Sequence, residues 1–138
     1  MDYSSISSSI TSGVSSIKSG TSGISANNFN GFWSGNAHDN LTAKLTSAMS
    51  NLNTQLGLLS KFAGALSKLQ EYKTAKEKIS SNESEISKLD KEKDASRISS
   101  LESENETLRK KMESLKSEIE SICSSITPFS KQDSVISY

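Results

Sequence analysis

Apolar residues recur every three or four positions along most of this chain, which is the spacing that places side chains on one side of an α-helix. The first run is short, with apolar residues at Ile6, Ile10, Val14 and Ile17 and mostly serines between them. Three glycines within or just after this run weaken a helix, since each costs about 1 kcal/mol relative to alanine. We therefore expect a short helix that ends near residues 20–23 and needs a partner surface.

A second run covers almost thirty residues without a proline and is the strongest helix signal in the chain. Its apolar positions are Leu41, Leu45, Ala48, Met49, Leu52, Leu56, Leu59, Ala63, Leu66 and Leu69. Leu58 and Phe62 widen this stripe, which suits contact with more than one neighbouring helix. Gly57 and Gly64 either let such a neighbour approach closely or are tolerated on the surface.

A third run, near the C-terminus, has the spacing of a coiled-coil seam. Its members are Ile98, Leu101, Asn105, Leu108, Met112, Leu115, Ile119, Ile122 and Ile126. Asn105 is the one polar residue among them, and a buried asparagine in such a seam fixes the register and the number of partners. This seam is expected either to brace the rest of the molecule or to bind a second helical protein.

The segment before this seam has a different phase. Ile79, Ile86 and Leu89 form a seam of their own that does not continue into the C-terminal one. We predict a break within residues 90–96, with Asp94 capping a new helix that folds back along the earlier one. A continuous rod with a local discontinuity is the alternative. Pro128 then ends the last helix and residues 128–138 form a loose tail.

The composition limits what the chain can be. Only 33% of its 138 residues are hydrophobic and its formal net charge is zero, so it offers neither a large globular core nor an electrostatic footprint for nucleic acid. No apolar run reaches the length of a membrane span, and the N-terminus lacks the features of a cleaved signal peptide. Most of the charge lies after residue 70, so the two halves are expected to have different roles.

Nothing in the sequence assembles an active site, and we predict no enzymatic activity, no cofactor and no metal. The single histidine, His38, has no nucleophile or metal partner and is expected to be a surface residue. The single cysteine, Cys123, lies close to Ile122 and Ile126 and is expected to be a small packed side chain rather than a reactive thiol or half of an intermolecular disulfide.

The stretch NGFWSGNAHDNL, residues 30–41, places the only tryptophan in a turn. Phe29, Phe32 and Trp33 cluster among glycine and asparagine residues, which indicates a structured loop. Asn36 is expected to cap the helix that follows, and Asp39 adds negative charge where the helix dipole is positive. An exposed tryptophan here needs a cover, supplied by the chain's own helices or by another chain.

A helix, then Trp-x-Gly at Trp33, Ser34 and Gly35, then a second amphipathic helix resembles the WXG100 or ESAT-6-like family of type VII secretion substrates. The resemblance covers residues 3–75. It implies a helical hairpin that dimerises into an antiparallel four-helix bundle, with Phe32, Trp33 and Gly35 at the recognition tip. It also implies export without a cleaved signal, through a membrane ATPase. The alternative is that the three aromatic residues only plug one end of a monomeric bundle.

Two features depart from that family. Its export signal, a tyrosine followed four residues later by an acidic residue, is not met, because Lys76 stands four residues after Tyr72. The chain also continues some sixty residues further, in an extension similar to the helical targeting regions and partners of larger secreted toxins. Whether the chain is a complete small protein or the front of a longer one stays open.

These patterns predict an all-α fold: a helical hairpin with a WxG turn in residues 1–75, a coiled-coil extension in 76–127 and a tail in 128–138. The expected function is that of a type VII-like secretion substrate, or a partner and targeting factor, in a Gram-positive bacterium. The expected partner is itself or another WXG-like protein, with the secretion ATPase as a further candidate, and the expected location is outside the cell. The alternative is a cytoplasmic coiled-coil adaptor that associates through its C-terminal seam.

Overall fold

A computed structural model describes residues 2–24 and 35–126. Helix α1 spans Tyr3–Thr21, α2 spans Asn36–Ile86 and α3 spans Ala95–Ser125. The described residues contain no strand, which confirms the predicted all-α fold. The first helix ends within the predicted range of residues 20–23.

Helix α1 begins because Asp2 accepts a hydrogen bond from the backbone N–H of Ser4 at 3.0 Å. It lies antiparallel to α2. The backbone N–H of Tyr3 donates to Gln70 Oε1 at 3.0 Å, and the Ser7 hydroxyl donates to the carbonyl oxygen of Ala63 at 2.8 Å. These long-range bonds attach the start of α1 near the middle of α2.

Helix α2 is the longest of the three described helices and contacts both of the others. Its 51 residues give a length of about 76 Å at 1.5 Å per residue. It passes without interruption through residues 75 and 76, where we placed a domain boundary. The prediction that Asn36 caps this helix was wrong, because Asn36 is its first helical residue and Gly35 occupies the cap position without a side-chain bond.

A turn of eight residues, 87–94, reverses the chain after α2. Asp90 Oδ1 accepts from the backbone N–H groups of Glu92 and Lys93, and the Asp90 N–H donates to Asp94 Oδ2. Asp94 does precede the first residue of α3, as predicted, but its carboxylate makes no capping bond to that helix. The break overlaps the predicted range of residues 90–96 but begins three residues earlier, so that Leu89, predicted as a seam residue, lies in the turn.

Helix α3 folds back antiparallel to α2, so the rod alternative does not describe the structure. Arg97 near its start pairs with Glu85, and the carbonyl oxygen of Ser125 at its end accepts from Lys61 Nζ at 3.4 Å. Helices α1 and α3 both pack on α2, and their backbones do not approach each other in the described residues. The fold is thus two helix pairs that share α2 and overlap near residues 61–71.

Candidate interaction surfaces

The hairpin of α1 and α2 has a narrow buried core. Val14, Leu56 and Ala63 are buried, and the Ser7 hydroxyl is within 2.9 Å of the Ser67 hydroxyl at the same interface. The other predicted seam residues that contribute are half-buried: Ile10, Leu45, Leu52, Leu59 and Leu66. Serine hydroxyls, which satisfy one another and a backbone carbonyl here, let the two helices pack with few large apolar side chains.

Three of the predicted seam residues lie outside this core. Ile6, Ile17 and Leu41 are 39%, 43% and 38% exposed, and Phe62, which widens the stripe, is 45% exposed. Large apolar side chains that face solvent in a group indicate a contact surface.

On α2 these exposed residues belong to one line of positions seven residues apart, which we call the outer stripe. It consists of Leu41, Ala48, Gln55, Phe62 and Leu69. Glu71 reaches Lys111 of α3 at 3.0 Å, and Leu69, two residues earlier, lies about 200° around the helix from Glu71. The outer stripe therefore lies away from the side of α2 that carries Glu71; Leu41, Ala48 and Phe62 are exposed, whereas Gln55 and Leu69 are half-buried.

The exposed isoleucines of α1 lie on the same side. Ser4 lines a cleft between the three helices, together with Leu108 and Lys111 of α3. Ile6 is two residues further on, hence about 200° around α1 from Ser4, and Ile17 is eleven residues, or about three turns, beyond Ile6. The outer stripe, Ile6 and Ile17 thus form one surface of the hairpin, which we call the hairpin face.

Gln55, at the middle of the outer stripe, has a buried Oε1 atom with no hydrogen-bond partner in the described residues. Leaving such an acceptor unsatisfied costs about 1–3 kcal/mol. The rest of the stripe is apolar, so Gln55 is its single polar member.

The second interface, between α2 and α3, contains the predicted C-terminal seam. Leu101, Asn105 and Leu115 are buried there. The remaining predicted members are half-buried: Ile98, Leu108, Met112, Ile119, Ile122 and Ile126. The seam packs on Ala75 and Ile79, buried residues of the same chain's α2. Of the two predicted roles, the structure places this seam in the bracing one.

Asn105 does not stand alone in that interface. Asn82 Nδ2 donates to Asn105 Oδ1 and to Glu104 Oε2, both at 2.9 Å, and the two asparagines are 1% and 2% exposed. Sequence reasoning missed Asn82, although it lies three residues after Ile79 and four before Ile86, the spacing of a seam position. The asparagine pair fixes which residues of α2 and α3 lie opposite each other.

Ion pairs lie along the exposed edges of the α2–α3 interface. Glu83 pairs with Arg109 at 2.8 Å, and Lys68 pairs with Glu118. The hydrogen bond from Lys68 lowers the pKa of the Glu118 carboxyl, and the same bond raises the pKa of Lys68. Exposed pairs of this kind contribute little to stability individually, but they favour one register.

The predicted recognition tip is described only at its end. Phe32 and Trp33 lie outside the described residues, as does Phe29. Gly35 has φ of +86°, a left-handed conformation that a residue with a side chain adopts only with strain. The glycine of the Trp-x-Gly motif is thus required by the backbone at the start of α2.

The two glycines in the middle of α2 have open space around them. A Cβ at Gly57 or Gly64 would meet no atom within 4 Å, which favours tolerated glycines over sites of close helix approach.

Cys123 is exposed, so the prediction that it packs internally was wrong, because its position on α3 faces solvent. His38 is half-buried, with its Nδ1 atom 3.3 Å from Asp39 Oδ1.

Residues 2–24 and 35–126 contain no group of three or more histidine, cysteine or acidic side chains that could hold a metal ion. None of the helices in these ranges is long and apolar enough to span a membrane.

Comparisons with known proteins add no relative. No protein-family model matches the chain, and neither a curated protein nor a solved structure is detectably similar to it.

Proposed function

We propose that this protein is a non-enzymatic WXG100-like substrate, or a partner and targeting factor, of a type VII-like secretion system, and that it acts by helical assembly. The observation that carries the proposal is the hairpin of α1 and α2, whose apolar face is left uncovered while the opposite side of α2 is occupied by α3. A surface of this kind is suited to a helical partner.

Gly35 adds local support. The glycine of the Trp-x-Gly motif has a left-handed φ at the start of α2, which a residue with a side chain adopts only with strain. The motif therefore has a structural reason at one of its two defining positions.

The C-terminal extension takes a supporting role in this proposal. Helix α3 braces residues 61–86 of α2 and leaves the hairpin face free. The rival function, a cytoplasmic adaptor that associates through its C-terminal seam, needs that seam to be open. In this chain the seam packs on α2, which makes the adaptor the weaker proposal.

Export from the native host tests the proposal. The protein is measured in culture medium and in cells, in the parent strain and in a strain without the secretion ATPase, with a cytoplasmic marker to exclude lysis. We expect ATPase-dependent export that is lost in Trp33→Ala and kept in Ser34→Ala, the matched change at the variable position of the motif. Retention of the wild-type protein in cells despite good expression would overturn the proposal.

A further inference from the structure

We infer that residues 127–138 pack along the outer stripe of their own chain, between Leu41 and Phe62, and cover it until a partner displaces them. This segment follows α3 directly and lies outside the described residues. The contact itself needs no partner, but its role as a cover for the partner surface rests on the proposed function. It follows from where α3 ends, from how far α2 extends beyond that point, and from the chemistry of the two segments.

Helix α3 ends beside the middle of α2. The carbonyl oxygen of Ser125 accepts from Lys61 Nζ at 3.4 Å. Ile126, the next residue, has left the helix and has an extended backbone with φ of −87° and ψ of 95°. The chain therefore leaves α3 next to Lys61, one residue from Phe62, whose side chain is 45% exposed.

Helix α2 continues beyond this point without α3. Residues 36–60 of α2 precede Lys61 and extend about 37 Å at 1.5 Å per residue. They contact α1 along one line, and Leu41 and Ala48 of the outer stripe are exposed beside it. Because α3 is antiparallel to α2, a chain that continues in the direction of α3 passes along this stretch towards residue 36.

The length of the segment suits the uncovered part of the outer stripe. An extended chain advances about 3.3 Å per residue, so residues 127–138 reach about 40 Å from Ile126. The stripe from Phe62 to Leu41 is about 32 Å long at 1.5 Å per residue. Pro128 favours an extended continuation over a further turn of helix. The segment therefore spans the stripe and has a few residues left to cross from the line of α3 to it.

The apolar residues of the segment stand where the stripe offers apolar surface. Phe129 comes near the start of the segment, and Val135 and Ile136 come towards its end. Exposed Phe62 lies where the segment leaves α3, and Leu41, which is 38% exposed, lies about 30 Å further along α2. An extended chain reaches that distance at about Val135, nine residues after Ile126. Both ends of the segment can therefore bury apolar surface against the stripe.

A pair of opposite charges supports this alignment. Lys44 lies three residues after Leu41 and four before Ala48, so it borders the outer stripe. It is exposed and makes no ion pair with another described residue. Lys44 lies about 26 Å from Lys61 along α2. Asp133 is the acidic residue of the segment, and an extended chain brings it about 26 Å from Ser125, so the two charges come level.

Covalent attachment favours this segment over a separate chain as the first occupant of the stripe. A segment held at the end of α3 has an effective concentration near the stripe on the order of millimolar. A weak contact is then sufficient to keep the stripe covered, and a partner with a larger apolar surface can still replace it.

Disulfide formation tests the inference on the purified full chain, in a Cys123→Ser background that removes the single native thiol. One protein carries Ala48→Cys with Gln132→Cys, and its matched control carries Ser50→Cys with Gln132→Cys. Ala48 and Ser50 are both small and exposed, and they lie about 200° apart around α2. We expect the disulfide within one chain to form about tenfold faster in the Ala48→Cys protein, because the segment is held on that side of the helix.

Charge changes test the alignment in the Ala48→Cys protein. Asp133→Lys should slow formation of the disulfide towards the control rate, because it places like charges level with each other. Adding Lys44→Asp should restore the faster rate, because the two charges are then opposite again. A faster Ala48→Cys protein that responds to neither change would overturn the alignment at Lys44.

Equal rates in the Ala48→Cys and Ser50→Cys proteins would overturn the inference, as would disulfides that join two chains on a non-reducing gel. Circular dichroism checks that each variant is folded. If a cysteine variant loses helix, nuclear Overhauser contacts in the wild-type chain decide: we expect them between residues 129–136 and the side chains of Leu41, Ala48 or Phe62, and their absence would refute the contact. The assay needs neither export nor a partner, so a chain that forms this contact and stays in the cell would overturn the proposed function alone.

Discussion

Glycines in this chain have opposite roles that sequence alone does not separate. Gly35 adopts a φ of +86° at the start of α2, whereas Gly64 is an ordinary helical residue with open space around its α-carbon. The motif drew attention to Gly35, but its backbone conformation depends on how the chain enters the helix. Gly35 precedes a helical pattern and Gly64 interrupts one, and neither composition nor spacing shows which of the two has a left-handed φ.

Alanine substitutions should therefore have effects of opposite sign. Gly35→Ala should lower the free energy of unfolding by about 1–2 kcal/mol, because a side chain disfavours the left-handed conformation. Gly64→Ala should raise it by about 1 kcal/mol, because alanine is the better helix former and its Cβ meets nothing. Urea unfolding followed by circular dichroism measures both, and a stabilising Gly35→Ala would contradict the structural role assigned to this glycine.

The asparagine pair in the α2–α3 interface shows what a single pattern can and cannot predict. The sequence indicated Asn105 as a buried polar seam residue, and burial confirms that position. It did not indicate Asn82, because the seam of residues 79–89 had only three apolar members from which to judge its phase. Which two asparagines meet depends on the register of two helices, and register is a tertiary property.

Removing one member of this pair should cost more than removing both. Asn82→Leu leaves Asn105 Oδ1 buried without its donor, and we expect a loss of about 1–3 kcal/mol of unfolding free energy. Asn82→Leu combined with Asn105→Leu replaces both partners by apolar groups of similar shape and should be nearly neutral or stabilising. A double-mutant cycle from denaturant unfolding measures the coupling, and strictly additive losses would show that the two side chains act separately.

At the scale of the helices, the sequence predicts helix positions correctly where the apolar pattern is long, but it does not predict the hydrogen bonds of the turns and helix ends. The out-of-phase seams placed the break between α2 and α3, and the run of apolar residues placed most of α2 itself. The turn bonds of Asp90 were not predicted, because a carboxylate can accept from several nearby N–H groups and only the folded backbone selects among them. The wrong cap at Asn36 has a different cause: Gly35, with its left-handed φ, occupies the cap position, so Asn36 is already helical.

The ion pair between Lys68 of α2 and Glu118 of α3 makes the stability of this helix contact depend on pH. The hydrogen bond from Lys68 holds the pKa of the Glu118 carboxyl in the folded protein below its usual value. The stabilisation that this bond contributes is therefore present at pH values above the pKa of Glu118 in the unfolded chain, and it is lost as the pH falls through the pKa of Glu118 in the folded protein. The raised pKa of Lys68 acts at the alkaline end, where its contribution is lost as pH rises through the folded value.

Glu118→Gln should accordingly lower the melting temperature at neutral pH and have no effect once the wild-type carboxyl is protonated. The difference should be small, because both side chains are partly exposed to solvent, which screens the ion pair. Glu113→Gln is the control, since Glu113 makes no ion pair in the described residues and should show no such pH dependence. Thermal melts of the three proteins across the acid range measure this, and equal shifts for both variants would rule out the ion pair as the cause.

For the whole molecule, the sequence could not separate apolar residues that are covered within the chain from those that are not. Val14 and Ile17 have the same periodicity, yet one is buried and the other exposed, because α1 contacts α2 along one narrow line. Likewise Phe62 and Ala63 are adjacent, and only Ala63 faces α1. The candidate surface therefore becomes visible only when the positions of the three helices relative to one another are known.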